Sequence, residues 1–341
     1  MVFNRDKGFS INLVDPDDLD AIQKITGALT IRDNLYIFTT TSIYRVLTAD
    51  TLDPDRKHPE TLHTYEKIYS IGSQKLMVAR TIIQFNDIFK FLSYPLNQEE
   101  LLDRLWTCTM HLLDCEKASF YVYDQTMKLM PVCDKIIEEN KVTGRIPALP
   151  KISDLDTYVS HFLISGKHML VETFGFLHDF FGMPYSAKNF AHFDKHIEWI
   201  TKKFGDEHAL NKMLHNDKNW IQIISECSNA IRHPEPNQSV NIQNISIKAG
   251  NKFSTPSWKY NLTKKGLGEY QHHVDLISDL DAFCHNMMTF LEELLLSSID
   301  EVFKTSNMLC LQKFSDVETN KDCPVKYRVG ARASFLSAQP K

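Results

Sequence analysis

The chain has 341 residues, 43% hydrophobic and 24% charged, with 38 Lys and Arg against 43 Asp and Glu for a net charge of −5. That length gives one large or two modest domains with volume for a hydrophobic core. The composition excludes wholesale disorder, collagen-like repeats and an overall basic field of the kind that binds nucleic acid non-specifically.

Leu35–Leu47 is rich in aromatic and β-branched residues, which suit a pleated, half-buried surface, and predicts two short strands joined near Thr40 to Ser42. The charged segment 50–59, with Pro54 and Pro59, reads as an exposed loop, so a small strand-containing region is expected over residues 1–66. Helical periodicity then takes over, first across 73–93 and then across 97–113, where Asn97 stands as N-cap before Gln98, Glu99 and Glu100. Residues 117–150 read as a strand over Ala118–Tyr123 followed by proline-bearing loop. The aromatic run with Phe174, Phe176, Phe180 and Phe181 reads as core.

Further helices are predicted over 187–204, over 207–231 with room for a break near Asn216, and over 270–303. The last has Val274, Ile277, Leu280, Cys284, Met287 and Leu291 recurring at three- and four-residue intervals, as the spine of a bundle would. Val240–Ile247 and Lys252–Tyr260 flank Ala249-Gly250-Asn251, a turn signal that predicts a β-hairpin. Pro324–Lys341 has four basic residues and no acid and reads as a loosely held tail. The expected fold is mainly α: a helical bundle over 67–312 with a hairpin insertion near 240–260, preceded by the strand-bearing region and followed by a basic tail over 313–341.

Several function classes fall away. The sequence has no G-x-x-x-x-G-K-[ST], since Gly166-Lys167 is followed by His168. It also has no G-x-G-x-x-G and no G-x-S-x-G, which argues against P-loop, dinucleotide-binding and α/β-hydrolase sites. Seven scattered cysteines, without a C-x-x-C pair, give neither a disulfide framework nor a zinc ribbon and fit reduced thiols in a cytoplasmic protein. His192 and His196 lie one turn apart, but with no third ligand at fixed spacing they read as a solvated helix face rather than a metal site. No cofactor is implied. No segment reaches the roughly 18 apolar residues of a membrane span, so no membrane partner is expected.

The string from Asn219 to Pro236 carries the most chemistry. Trp220, Ile224, Cys227 and Ile231 form an apolar stripe, leaving Ser228, Asn229, Arg232 and His233 gathered at the C-terminal end of a helix. Ser228 and Arg232 are four apart, as are Asn229 and His233, so each pair lies on one face. Pro234 turns the chain out immediately afterwards, placing the imidazole where helix meets loop.

This helix end, the hairpin-like insertion after it and the long helices on either side resemble the HEPN superfamily of helical-bundle proteins over residues 70 to 310. The family signature is an Arg followed four to six residues later by His, often written R-N-x-x-x-H. The resemblance implies a dimeric, metal-independent endoribonuclease of a phage-defence or toxin–antitoxin system, with RNA as substrate and an antitoxin or other protein as partner. Residue by residue, His233 matches the family His and Asn229 the residue after the Arg, while Ser228 stands where the Arg is required. Cleavage of this kind needs a base for the 2′-hydroxyl proton, an acid for the 5′-oxygen and a cation over the phosphorane. His233 can fill one proton-transfer role, and Arg232 is the candidate cation, with helix C-capping as its alternative role. One His per helix end leads to the expectation that a homodimer supplies the missing group across a two-fold axis. The alternative is a non-catalytic helical interaction module that binds a protein or a nucleotide.

Overall fold

Aromatic and β-branched residues build the first sheet, an antiparallel meander of β3 (Ile25–Ile31), β4 (Asn34–Thr39), β5 (Ile43–Leu47) and β6 (Thr64–Tyr69), preceded by the pair β1 (Val14–Asp15) and β2 (Asp18–Ile22). The computed structural model describes residues 14–15, 18–22, 24–93, 95–142, 144–184, 193–263, 267, 274–305, 308–315 and 317–332. The turn expected near Thr40 to Ser42 joins β4 to β5, and a short helix α1 (Ala49–Leu52) opens the charged loop. Gly72 is required where the chain leaves β6, because a Cβ there would lie 2.3 Å from the Thr39 carbonyl oxygen and 2.4 Å from the Thr41 nitrogen.

Residues 76–89, predicted helical, form α2 (Leu76–Val78), a π-turn at Ala79–Ile83 and α3 (Gln84–Phe89). Ile82, Phe85, Ile88 and Phe89 are buried there. The helix α4 (Gln98–Asn140) begins as expected, with Asn97 Oδ1 accepting from the Glu99 N–H at 3.0 Å, and Trp106 of its first turns packs against Tyr36 with ring centroids 4.4 Å apart.

Within the segment expected to be a loose tail, Tyr327–Ala331 instead forms β13, paired in a hairpin with β12 (Leu309–Lys313). Its hold comes from neighbours that the basic composition did not reveal. Buried Gln84 accepts through Oε1 from the Lys326 and Tyr327 N–H groups at 2.7 and 2.8 Å, and Arg332 donates to the Phe303 and Leu309 carbonyls at 2.9 and 2.8 Å.

Two compact units result, residues 1–109 with 299–341 and residues 110–298, and both divisions fall inside helices. In the second unit α4 runs unbroken through Ala118–Tyr123, correcting the predicted strand. Leu112, Cys115, Ala118, Val122, Thr126 and Cys133 are all buried at helical spacing, and that stripe outweighs the β preference of Phe120, Tyr121 and Tyr123. Pro131 is accommodated on an exposed position of the same helix.

The other helices are α5 (Leu155–Phe181), α6 (Phe193–Phe204), α7 (Ala209–Arg232) and α8 (Leu276–Lys304). α7 has no break at Asn216. Gly166 on α5 lets three helices approach, since a Cβ there would meet Met287 Sδ of α8 at 3.2 Å and Ile224 Cγ2 of α7 at 3.4 Å. The expected hairpin is present with an interruption: β7 (Ser239–Gln243) pairs with β10 (Ser257–Asn261), which also pairs with β11 (Val274–Asp275), while β8 (Ser246–Lys248) pairs with β9 (Lys252–Ser254) around Gly250 and Asn251, both at positive φ. At the interruption Asn244 exchanges two hydrogen bonds with the Ile152 backbone, at 2.8 and 3.0 Å. Buried Trp258 ties the sheet to α8 by donating to Asp279 at 2.7 Å. The mainly α expectation holds. The predicted helix starts at 187 and 270, with His192 and the tail beyond 332, lie outside the described residues.

Candidate functional site

α7 ends where the sequence indicates. Its C-cap His233 leaves helical backbone, with φ −138° and ψ 70°, and its N–H donates to the Asn229 carbonyl at 2.8 Å. Ser228 is fully buried (0% exposed), so an arginine in its place would carry charge into the packed interior. A guanidinium does meet Ser228 from one turn later. Arg232 Nη2 donates to Ser228 Oγ at 3.3 Å and Nε to the Ser228 carbonyl at 3.4 Å. The Ser228–Arg232 pair therefore meets through side chains, whereas Asn229 and His233 are joined through backbone, with the His233 side chain exposed.

Around this end runs a polar chain that sequence reasoning missed. Lys167 of α5, brought close by the Gly166 contact, donates through Nζ to Asn229 Oδ1 at 2.6 Å. Asn229 Nδ2 and Gln238 Nε2 both donate to Glu226 Oε2, at 3.2 and 3.3 Å. Next to Lys167, His168 meets His111 of α4 edge to face, with ring centroids 5.4 Å apart and planes at 69°.

The two imidazoles have different electrostatic surroundings. Burial pushes His111 below the ordinary histidine range, with Asp114 and Glu172 opposing the shift and His161 adding to it. His168 is also lowered, by burial first and then by the positive charges of His111, Arg232 and Lys167, against Glu172. His168 and Arg232 thus interact electrostatically within one chain. Two signals were available in the sequence: His161 and His168 are seven apart on one helix face, and Gly166-Lys167-His168 marks a close approach although it fails as a P-loop.

Other candidates resolve differently. His196, expected on a solvated face, is fully buried and stacks on Phe174 with centroids 4.4 Å apart. Among the described residues no group of three or more His, Cys, Asp or Glu could hold a metal ion, and no helix is long and apolar enough to cross a membrane. All seven cysteines are free thiols, and burial holds Cys227, beside Ser228, far above the ordinary thiol range, which makes it unreactive. A cleft of about 590 Å³ near Asn244 offers Asp154 and Asp156 against Lys151, a poor cradle for an anion. Comparison with protein-family models, curated proteins and solved structures finds no match to the chain.

Proposed function

We propose that this chain is a HEPN-like endoribonuclease that cleaves single-stranded RNA at the C-terminal end of α7, with Arg232 as the cation on the phosphate and His233 in a proton-transfer role. One observation carries the proposal. The Arg232 guanidinium is anchored on Ser228, the position at which the family signature has its Arg, so a cation stands at the motif despite the substitution. Arginine suits this role because its planar fork binds phosphate oxygens bidentately. Asn229, fixed between Lys167 and Glu226, stiffens the helix end. From the resemblance the proposal also takes a homodimer, metal-independent chemistry, and a phage-defence or toxin–antitoxin setting with an antitoxin or other protein partner.

The test is cleavage of labelled single-stranded RNA in EDTA by the native chain and by His233→Ala. Cleavage that the substitution abolishes supports the proposal, and a native chain that leaves RNA intact refutes it.

A second reading, a non-catalytic interaction module, draws on Phe120, Tyr123 and Met127, which stand 61%, 47% and 42% exposed along α4. It predicts a chain that binds a protein or a nucleotide and leaves single-stranded RNA intact in the same assay.

A further inference from the structure

The His111–His168 contact is unexplained by the six-residue motif, and packing alone does not call for it. Both rings are titratable, one is exposed and the other half-buried, and they lie on neighbouring helices beside the cations that gather at the end of α7. We propose that His168 and His111 are the catalytic acid–base pair for RNA cleavage at this face, His168 accepting the 2′-hydroxyl proton and His111 protonating the departing 5′-oxygen. The inference deepens the ribonuclease reading and rests on it.

Metal-independent transfer at a ribose phosphodiester needs two proton-transfer groups of different standing charge within reach of one phosphorus. Rings with centroids 5.4 Å apart can each reach one of two oxygens on the same phosphorus at the usual hydrogen-bond distance of about 2.6–3.2 Å. Their surroundings order the roles. Arg232 from α7 and Lys167 from α5 face His168 and favour its neutral, proton-accepting form. Burial lowers both rings; at His111 the carboxylates of Asp114 from α4 and Glu172 from α5 oppose that shift, with His161 from α5 adding to it, whereas at His168 only Glu172 opposes it. Arg232, held on Ser228 and acting electrostatically on His168, is the cation assigned to the developing phosphorane charge.

The step balances within RNA and protein. The bond between the 2′-oxygen and phosphorus forms as the bond between phosphorus and the 5′-oxygen breaks, the 2′-hydroxyl proton passes to His168, and the His111 proton passes to the 5′-oxygen. The products are a 2′,3′-cyclic phosphate and a 5′-hydroxyl, and proton exchange with water resets the pair. This assignment takes the proton-transfer role from His233 and gives it to the His111–His168 pair, the rest of the ribonuclease reading being kept.

The experiment is the pH–rate profile for cleavage of labelled single-stranded RNA in EDTA by the full chain, native, His168→Asn and His111→Asn. It is paired with NMR titration of the histidine rings by uridine 3′-monophosphate. The native profile should be bell-shaped with its optimum on the acid side of neutrality, because both rings titrate below the ordinary range. Each substitution should cost about 10²-fold or more. His168→Asn should flatten the acid limb and His111→Asn the alkaline limb, and the nucleotide should shift both ring signals in the native chain. His→Gln variants repeat the test wherever an Asn variant melts early. If both variants cleave within about threefold of native while Arg232→Ala is inactive, the pair is overturned and the ribonuclease reading stands. A native chain that does not cleave overturns both.

Discussion

Two polar groupings, one in each unit, use their side chains in opposite ways. In the first, buried Gln84 is bonded to the backbone of residues 80, 326 and 327, Ser73 donates to the Asp322 carbonyl, and Arg332 donates to two carbonyls. In the second, Lys167, Asn229, Glu226 and Gln238 bond side chain to side chain, beside two imidazoles whose protonation burial disfavours. Backbone partners are fixed for the life of the fold, so polar groups bonded to them act as staples. Side-chain partners that titrate or can exchange for a ligand are what a reactive site requires. The contrast separates these staples from the cluster proposed as the site.

Substitutions should separate the two roles. The largest effect is expected from Arg232→Ala. Loss of the only cation anchored on Ser228 among the described contacts should lower RNA cleavage by about 10²–10³-fold, while thermal melting of this exposed position changes by no more than about 0.5 kcal/mol. An equal loss of stability and activity would break the contrast.

Gly72→Ala should behave oppositely. Its Cβ would meet three backbone atoms within 2.5 Å, so a loss of about 3 kcal/mol in denaturant unfolding is expected, with the cleavage rate of the folded fraction unchanged. Gln84→Ala leaves two backbone N–H groups without their acceptor and should cost about 1–3 kcal/mol by the same measurement. Again, the activity per folded molecule should be retained.

The smallest effect is in pH dependence. For His111 and His168 the folded state binds protons less readily than the unfolded one. Stability therefore rises with pH across the window between their lowered values and the ordinary value of about 6.5. It is lost as pH falls through that window, by an amount that solvent screening keeps small at these partly exposed rings. His168→Asn should flatten part of the slope measured between pH 7 and 5, and an unchanged slope would show that the ring is not depressed.

The elements most legible in the sequence are those with long uninterrupted stripes. α8 and α7 follow from apolar residues at three- and four-residue spacing, and β4 and β5 from their β-branched and aromatic run. The middle of α4 was hidden because Phe120, Tyr121 and Tyr123 favour strand locally, whereas burial of Cys115, Ala118 and Val122 decides the conformation through contacts distant in sequence. The C-terminal hairpin was hidden for a related reason, since Gln84 lies far upstream of the backbone it holds. At the site, Ser228, Asn229, Arg232 and His233 could be read as a group because one helix carries them. The His111–His168 pair could not, because the relative register of α4, α5 and α7 depends on their packing and on the close approach at Gly166.

The central claim is that a guanidinium delivered from position 232 replaces the motif Arg absent at 228. Its most direct measurement is the single-turnover rate of single-stranded RNA cleavage in EDTA by the native chain, Arg232→Lys and Arg232→Ala. The account predicts cleavage by the native chain, a partial loss with lysine, which keeps charge but not the bidentate fork, and near-complete loss with alanine. Equal rates for all three, or no cleavage by the native chain, would contradict it.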